Sequence, residues 1–506
     1  MKIWYASSEV AGFAKTGGLA DVAGSLPIAL KARGLDCAVI MPLYRACQSA
    51  ARAPTPTEHR LKIPIGEQIV AGRIWRSTLP DSDVPVYLIE QPDYFDRDEA
   101  ASGRGLYQYA DPNGKKLDYP DNCASFAFFA RAIIECMATL NEWPDVLHLN
   151  DWQTGLAAMY LRECYAPNAP RELRGRYDQI RTIFTIHNLA FQGRFWGLDM
   201  PLLGLPWRLF NFNQLEFHGD ISFLKGGVVA ADVVTTVSPT YAREIQTLYL
   251  GCGLHGILLQ RSRRLHGIVN GIDERIWNPA SDEHIAARYD AATLPIGKPR
   301  CKAALQERFK LDVVPRAPLL GIVSRLSHQK GFDLLEKVVT PFLQQGVQLV
   351  VLGDGDHIYR EMLGRLKANY PHQVGLAFEL SEPLAHQIEA GADIFLMPSE
   401  YEPCGLNQLY SLKYGTVPVV RRTGGLADTV VDATPENLAA RTATGFAFVP
   451  FAQAPFAEAL GRAVAMYRGD PLRWRQLQET GMRQDWSWAR SAAEYERVYR
   501  GEISQS

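Results

Sequence analysis

A short motif with paired glycines occurs twice in the chain, and both copies begin with a cation. The first copy reads KTGGLAD at residues 15–21, and the second reads RTGGLAD at residues 422–428. Both are predicted to follow a strand and to open a helix. Paired glycines let the backbone approach a ligand closely, and the free N–H groups at a helix start attract an anion. The repeat therefore predicts an oxyanion site in each half of the chain.

A second pair of cations, Arg325 and Lys330, lies in the segment SRLSHQKG, again directly after a predicted strand. An Arg and a Lys in one loop can bind neighbouring phosphates of a diphosphate. The same residues would also suit a solvated basic helix start, because surface charge runs are common. The agreement with the glycine repeat favours phosphate binding.

Two further polar residues follow apolar strands. His187 comes directly after the strand-like segment FTI, and Glu402 lies in the turn SEYEPCGL. A His at a strand end is often a structural hydrogen-bonding group, and the Glu could be a helix N-terminal charge. Both are nevertheless predicted at the carboxyl-terminal edge of a parallel sheet, where α/β proteins bind ligands. The sequence contains no ligand spacing typical of a metal site, so we predict no metal.

Strand-like segments alternate with helix-like segments through most of the chain, which indicates α/β domains with parallel sheets covered on both faces. Between His59 and Glu90 apolar and polar residues alternate, which predicts an inserted antiparallel hairpin. After Arg261 the alternation of strands and helices starts again. Two doubly wound domains in tandem, with a boundary near residues 255–268, are the simplest interpretation.

The composition excludes several classes of protein. With 506 residues the chain is too long for one small binding module. Its net charge of -2 provides no general attraction for nucleic acid or anionic lipid, and no uncharged apolar stretch is long enough to span a membrane. The eight cysteines show no CxxC spacing, and the start MKIWYASSE lacks the features of a signal peptide. We therefore expect reduced thiols and a cytoplasmic protein.

Six motifs resemble, in order, those of the bacterial glycogen synthases and plant starch synthases: KTGGLADV, HNLAFQG, NGID, SRLSHQKG, PSEYEPCGL and RRTGGLADTV. The resemblance implies two Rossmann-like domains facing a cleft, the GT-B arrangement of glycosyltransferases. The N-terminal domain would span residues 1–260, the C-terminal domain 261–485, and a helix within 486–506 would cross back to the N-terminal domain. It also implies retaining transfer of glucose from ADP-glucose to the non-reducing end of an α-1,4-glucan, with no cofactor or metal.

The resemblance also implies roles for individual residues. The residues expected to bind the donor are Lys15, Gly17, Gly18, Asn188, Arg325, Lys330, Cys404, Gly405, Leu406, Thr423, Gly424 and Gly425. The residues expected at the reacting centre are His187, Glu402, Arg325 and Lys330, and those on the acceptor side are Asp151 and Tyr107. The expected partners are a nucleotide sugar and an α-1,4-glucan, without nucleic acid or membrane. The oligomeric state is left open.

Three positions depart from patterns in this group of enzymes. Tyr410 stands eight residues after Glu402, where some related retaining transferases have a second carboxylate. Asn150 and Gln153 stand where many bacterial members have His, and Leu380 stands where some members place an aromatic ring against the adenine. Three alternatives therefore remain: a transferase using UDP-glucose or another acceptor, a glycan phosphorylase with lysine-bound pyridoxal phosphate, and an inactive polysaccharide-binding scaffold.

Overall fold

The computed structural model describes residues 1–502, which form two compact units. The first unit contains Met1–Val237, Ala242–Gly271 and the chain from Trp488 onward. The second unit contains Ser238–Tyr241 and Ile272–Ser487. Each unit is built on its own mostly parallel sheet.

The first unit contains a nine-stranded sheet in the order β14-β13-β9-β8-β1-β2-β5-β4-β3. Its strands, with those of two small accessory sheets, are β1 (Lys2–Ala6), β2 (Asp36–Pro42), β3 (Thr55–Ile65), β4 (Gln68–Thr78), β5 (Pro85–Glu90), β6 (Gln108–Ala110), β7 (Lys116–Asp118), β8 (Val146–Asn150), β9 (Arg181–Ile186), β10 (Arg194–Trp196), β11 (Glu216–Phe217), β12 (Asp220–Ser222), β13 (Val233–Thr236) and β14 (Leu265–Gly267). The seven strands from β14 to β5 are parallel. The predicted hairpin is β3–β4, which extends this sheet antiparallel to β5.

Helices cover the sheet of the first unit. They are α1 (Gly18–Ala32), α2 (Pro92–Phe95), α3 (Asn122–Leu140), α4 (Asp151–Thr154), α5 (Leu156–Tyr160), α6 (Ala166–Asn168), α7 (Arg171–Gln179), α8 (Met200–Leu203), α9 (Phe223–Ala230), α10 (Pro239–Glu244), which continues into the second unit's segment, and α11 (His255–Gln260). The helix α3 is long and apolar enough to cross a membrane, but 78% of its apolar window is buried, as in the core helix of a globular protein.

The second unit contains a six-stranded parallel sheet in the order β17-β16-β15-β18-β19-β20. Its elements are α12 (Leu294–Arg308), β15 (Leu319–Val323), α13 (Phe332–Leu343), β16 (Gln348–Leu352), α14 (His357–Asn369), β17 (Val374–Ala377), α15 (Glu382–Gly391), β18 (Ile394–Met397), α16 (Asn407–Lys413), β19 (Val417–Arg421), α17 (Gly424–Thr429), α18 (Pro435–Ala439), β20 (Phe446–Phe448), α19 (Gln453–Gly469) and α20 (Pro471–Met482). This strand order is that of the Rossmann fold. The expected fold class, two Rossmann-like α/β domains with a hairpin insertion, is confirmed.

The division of the chain differs in detail from the expected ranges. Residues 261–271 lie in the first unit, because β14 pairs in parallel with β13 and so completes the edge of the first sheet. The last described helix, α21 (Trp488–Arg500), also lies in the first unit. There Arg33 after α1 forms an ion pair with Glu496 at 2.8 Å. The final part of the expected 486–506 segment, residues 503–506, lies outside the described residues.

The strand order of each unit fixes where a ligand site can form. In the second unit the order reverses between the neighbouring strands β15 and β18, so the loops after these strands diverge and leave a crevice. In the first unit the same reversal occurs between β1 and β8. The polar residues of the sequence motifs lie on loops that follow these four strands, with His187 and Thr423 on neighbouring ones.

Candidate active site

The loops after β15 and β18 are hydrogen-bonded to each other at the switch point of the second unit. The backbone N–H of Glu400 donates to the carbonyl oxygen of Gln329 at 2.8 Å. The side-chain amide of Gln329 in turn donates to the carbonyl oxygen of Tyr401 at 3.2 Å. His328 Nε2 lies 3.2 Å from the Glu400 carboxylate. These contacts hold the two loops in a defined register, which we call the switch-point loop pair.

The switch-point loop pair brings Lys330 and Glu402 into direct contact. Lys330 Nζ lies 2.6 Å from Glu402 Oε2, and Ser399 Oγ donates to the same oxygen at 3.1 Å. The Glu402 side chain is only 8% exposed, so the ammonium group provides the charge that a buried carboxylate needs. Arg325 is exposed, and its guanidinium forms no ion pair with any residue in 1–502. Arg325 can therefore bind an anion without losing an existing contact.

The second glycine motif packs tightly against the loop after β18. Gly424 has a φ of 44°, and a Cβ atom there would lie 1.9 Å from the carbonyl oxygen of Glu402. A Cβ atom on Gly425 would lie 2.0 Å from the carbonyl oxygen of Cys404. The Gly425 N–H donates to the carbonyl oxygens of Glu402 and Pro403, both at 3.1 Å. The glycines are thus required by loop contact, and the Gly425 amide already has acceptors.

The other residues predicted around this loop are mostly buried. Thr423 immediately precedes α17 and is 1% exposed, and Cys404 is 6% exposed. Gly405 has a φ of 73°, a conformation that favours glycine, and Leu406 immediately precedes α16. These four residues join Arg325, Lys330 and Glu402 in one cluster at the carboxyl ends of β15, β18 and β19.

In the first unit, the glycine motif is held by a buried carboxylate that the sequence analysis did not identify. Glu9 follows β1 and is 4% exposed. Its carboxylate accepts hydrogen bonds from the N–H of Thr16 at 2.5 Å, the hydroxyl of Thr16 at 2.6 Å and the N–H of Gly17 at 3.2 Å. Glu9 therefore occupies the place at the start of α1 where the motif predicted an external anion.

The cation of the first motif and its glycines face solvent. Lys15 Nζ forms an ion pair with Asp21 at 2.6 Å, and the lysine side chain is 46% exposed. Gly17 and Gly18 are exposed, and a Cβ atom on Gly17 would have no atom within 4 Å. The space around this turn is open, so the structure leaves Lys15 and the turn accessible to a ligand.

Tyr107 joins this loop from the acceptor side. Its hydroxyl lies 2.8 Å from Ser8 Oγ and 2.9 Å from Glu9 Oε1. Burial raises the pKa of Tyr107 well above its usual value, so the hydroxyl is neutral and can donate to the carboxylate. Its ring centroid is 6.1 Å from that of Trp152, the residue after Asp151.

His187, Asn188 and Asp151 lie together after β9 and β8. The Asp151 carboxylate accepts the backbone N–H of His187 at 2.8 Å and also that of Asn188. Asp151 has a φ of 55°, a left-handed conformation that Asp tolerates better than most residues. The Asn188 side chain accepts the N–H of Ala190 at 3.0 Å. Asp151 thus fixes the turn that carries His187.

Burial changes the protonation of both groups. It lowers the pKa of His187 to about 3, so the imidazole is neutral at neutral pH. It raises the pKa of Asp151 to about 7, against the opposing effect of the two backbone hydrogen bonds. His187 therefore cannot supply a proton to a leaving group at neutral pH.

The structure brings the predicted site residues together in two clusters, one in each unit. Two positions that depart from the family pattern lie in other surroundings. Leu380 is 91% exposed. The Tyr410 ring stacks on Trp277 at 3.7 Å and 9°, so it serves as a packing residue of α16. Residues 1–502 contain no group of three or more His, Cys, Asp or Glu side chains that could hold a metal ion.

Several positioning residues were missed by the sequence analysis: Glu9, Gln329, Ser399 and Asp428. Each is a polar residue within or next to a recognised motif, and its role depends on a partner from another segment. A carboxylate placed directly after the first strand was the only signal available for Glu9. The others carry no spacing that distinguishes them from surface residues.

Comparison with known proteins agrees with this architecture. Residues 2–260 match the family model described as the starch synthase catalytic domain, and residues 305–476 match that of glycosyl transferases group 1. A glycogen synthase of Thioalkalivibrio sulfidiphilus is 48% identical over 100% of both chains, and one of Syntrophotalea carbinolica is 45% identical over 99% of this chain and 98% of its own. The catalytic domain of starch synthase IV from Arabidopsis thaliana, bound to ADP and acarbose, superposes with a TM-score of 0.87 at 31% identity and covers 100% of this chain and 99% of its own.

Two Rossmann-like units, each with polar loops at its switch point, define a glycosyltransferase of the two-domain GT-B class. The chain belongs to the family of bacterial glycogen synthases and starch synthases. The expected resemblance and the expected enzyme class are confirmed, and the phosphorylase and inactive-scaffold alternatives are dropped.

Proposed function

We propose that this enzyme transfers glucose from ADP-glucose to the non-reducing end of an α-1,4-glucan, with retention of the α configuration. The observation that carries the proposal is the switch-point loop pair, where Arg325 and Lys330 lie on the loop beside Glu402. The names of the relatives, glycogen synthases and a starch synthase bound to ADP and acarbose, support the same reaction.

Departure of the nucleoside diphosphate is the step that these cations assist. Breaking the bond between the sugar and the phosphate places negative charge on the leaving phosphate and positive charge on C1. Preorganised cations stabilise such a developing anion more than the ground state, because they need not reorganise as the charge forms. Arg325 has no competing ion pair within residues 1–502 and can meet the diphosphate directly.

Lys330 connects the leaving group to the sugar. Its ammonium has three N–H donors, and one is directed to Glu402 Oε2. The remaining donors are available for a phosphate oxygen. Glu402, held by Lys330 and Ser399, would then lie against the donor sugar and accept hydrogen bonds from its hydroxyls.

The acceptor hydroxyl would attack on the face from which the phosphate leaves, which gives retention without a covalent enzyme intermediate. The new bond forms between the acceptor oxygen and C1, and the hydroxyl proton passes to an oxygen of the departing phosphate. Neutral His187 would lie beside the sugar hydroxyls, and Asp151 with Tyr107 would shape the acceptor side. Lys15 and the Gly17-Gly18 turn would contact the donor from the first unit.

The test compares ADP release from ADP-glucose with UDP release from UDP-glucose, using glycogen as acceptor. ADP-glucose should be strongly preferred. R325A and K330A should each lower kcat about a hundredfold, because loss of one donor to a developing anion costs about 3 kcal/mol. R365A, an exposed cation on α14 without an ion pair within residues 1–502, is the matched control and should be unchanged. Preference for UDP-glucose, or near-normal turnover in R325A and K330A, would refute the proposal.

We propose further that transfer needs no metal, since the two cations take the role that a divalent ion has in other transferases. Turnover in excess EDTA should equal turnover without chelator. Loss of activity with EDTA and its return with Mg²⁺ would contradict this proposal.

We propose a cytoplasmic location and no nucleic-acid or membrane partner. The eight cysteines are all free, and the net charge is -2. Fractionation of the source cells should recover the protein with the soluble cytoplasmic enzymes, and recovery in a membrane or secreted fraction would contradict it.

A further inference from the structure

The buried side chain of Asn150 lies directly behind His187. Asn150 ends β8 and is 0% exposed. Its Nδ2 donates to the carbonyl oxygen of Ala6 at 2.9 Å. Its Oδ1 accepts from the Tyr5 hydroxyl at 2.9 Å and lies 2.9 Å from His187 Nε2. All hydrogen-bond partners of the amide are therefore fixed by the ends of β1 and β9.

The orientation of the amide follows from these partners. The Ala6 carbonyl can only accept a hydrogen bond, so the NH₂ group of Asn150 must face it and Oδ1 must face His187. Burial raises the pKa of Tyr5 well above its usual value, so its hydroxyl stays protonated and donates to the same oxygen. An amide oxygen carries no proton, and the bond to His187 Nε2 therefore requires a proton on Nε2.

A neutral imidazole carries one proton. With that proton on Nε2, Nδ1 has a free lone pair and acts only as an acceptor. Nδ1 forms no hydrogen bond with any other group in residues 1–502, and the side chain of His187 is only partly buried. The backbone N–H of the same residue is held by Asp151 at 2.8 Å, which restricts movement of the ring.

We propose that Asn150 is a positioning residue that holds neutral His187 as its Nε2–H tautomer, so that Nδ1 accepts a hydrogen bond from a sugar hydroxyl. The inference rests on the proposed function, because that function puts a sugar beside His187. It assigns His187 a specific role. The ring orients a hydroxyl of the donor sugar and transfers no proton during the reaction.

Other titratable groups near the ring do not replace Asn150 in this role. Tyr5 on β1 is a neutral donor, and His148 on β8 is neutral because burial lowers its pKa to about 3. Asp151 binds the backbone of His187, and its carboxylate is influenced by the charge of Glu9. Among the described groups printed as partners of the imidazole, Asn150 alone contacts a ring nitrogen.

The direct test is a two-bond ¹H–¹⁵N spectrum of the free full-length enzyme labelled at histidine, recorded at pH 7. The His187 signals are assigned by their loss in H187Q. The expected spectrum is that of the Nε2–H tautomer with an unprotonated Nδ1. A proton on Nδ1, or a rapid mixture of tautomers, would overturn the proposal. This readout is independent of activity, so it stands or falls separately from the choice of ADP-glucose as donor.

A kinetic test uses N150D, which keeps the shape of the side chain but adds a negative charge beside Nε2. The carboxylate should raise the pKa of His187 toward neutrality and protonate Nδ1, so kcat/KM should fall about tenfold between pH 8 and pH 6 relative to wild type. Asp151 titrates near pH 7 in both proteins, so only the difference between their profiles is interpreted.

The matched control is N168D. Asn168 also donates its Nδ2 to a backbone carbonyl, that of Cys164 at 2.8 Å, but it is exposed on α6. N168D should keep the wild-type pH profile. If N150D also kept the wild-type profile, the proposal would be wrong. If N150D does not fold, the wild-type spectrum decides the matter alone.

Discussion

The two copies of the glycine motif have almost the same residues and different surroundings. Thr16, Gly17 and Gly18 are exposed, whereas Thr423, Gly424 and Gly425 are buried. The first copy follows β1, a strand at the switch point of its sheet, and the second follows β19, two places from β15. They do not occupy equivalent positions in the two Rossmann-like units. A duplication of the whole unit would have put them on equivalent strands.

The paired glycines also serve different purposes. In the second copy the backbone of the loop after β18 comes so close that any Cβ atom would overlap a carbonyl oxygen. In the first copy the space next to Gly17 is empty, and Glu9 supplies an internal acceptor for the turn. One motif therefore supports close packing of two loops in one unit and an accessible turn in the other.

The largest expected difference between the copies is the effect of a methyl group. G424A places a Cβ atom 1.9 Å from the Glu402 carbonyl oxygen at a φ of 44°. It should destabilise the protein by about 3 kcal/mol or more and lower kcat at least about a hundredfold, because the Glu402 loop must move. Urea unfolding and turnover measure both effects. G17A is the matched control and should unfold within about 0.5 kcal/mol of wild type. Equal effects of the two substitutions would contradict the distinction.

Removal of the internal acceptor should have the next largest effect. E9A leaves the N–H groups of Thr16 and Gly17 without the carboxylate that now accepts them. Loss of stability of about 1–3 kcal/mol is expected, with reduced turnover, because buried donors would lack partners. E9Q retains one acceptor oxygen and should lie between E9A and wild type. A midpoint of urea unfolding in E9A equal to that of wild type would show that the loop does not depend on Glu9.

The acid next to the first copy should make stability depend on pH. The pKa of Asp151 is raised in the folded state to about 7 from 3.8, so its contribution is largest below pH 4 and is lost as the pH rises through 7. D151N removes this dependence. Relative to wild type it should gain stability on the order of 1 kcal/mol between pH 5 and pH 8. A constant difference across this range, measured by urea unfolding, would argue against a raised pKa.

The smallest expected effect distinguishes the aspartates of the two motifs. Asp21 pairs only with the exposed Lys15 in the contacts described above, so D21A should change stability by less than about 1 kcal/mol. Asp428 accepts the N–H and the hydroxyl of Thr240 at 3.0 and 2.6 Å and the hydroxyl of Ser238 at 2.5 Å. D428A should therefore cost more, about 1–2 kcal/mol. A larger loss in D21A than in D428A would reverse this interpretation.

Much of the fold could be predicted because apolar runs and turn residues act locally. The predicted segments around β1, β9, β16 and β18 agree with the observed strands, because each is a short apolar run that must be buried on both faces. The pairing of β5 could not be read in this way. It is antiparallel to β4 and parallel to β2, so both sets of neighbours accept the same apolar side chains.

The candidate site was predictable where a residue type is rare at its position. Arg325, Lys330 and Glu402 follow strands that end in polar turns, so chemistry and topology point to the same loops. The ion pair between Lys330 and Glu402 was not predictable, because it depends on the register of two loops that are 72 residues apart.

The sequence by itself determined the class of fold, the family and the loops that carry charge, because these depend on residue types and their order. Only the tertiary structure decided which oxygen each donor meets. Glu9 fills the anion position of its own glycine turn, the Gly425 amide is taken by neighbouring carbonyls, and Asn150 fixes the proton on His187. Hydrogen bonds depend on distances of a few tenths of an ångström between distant segments, and that precision exists only once the chain has folded.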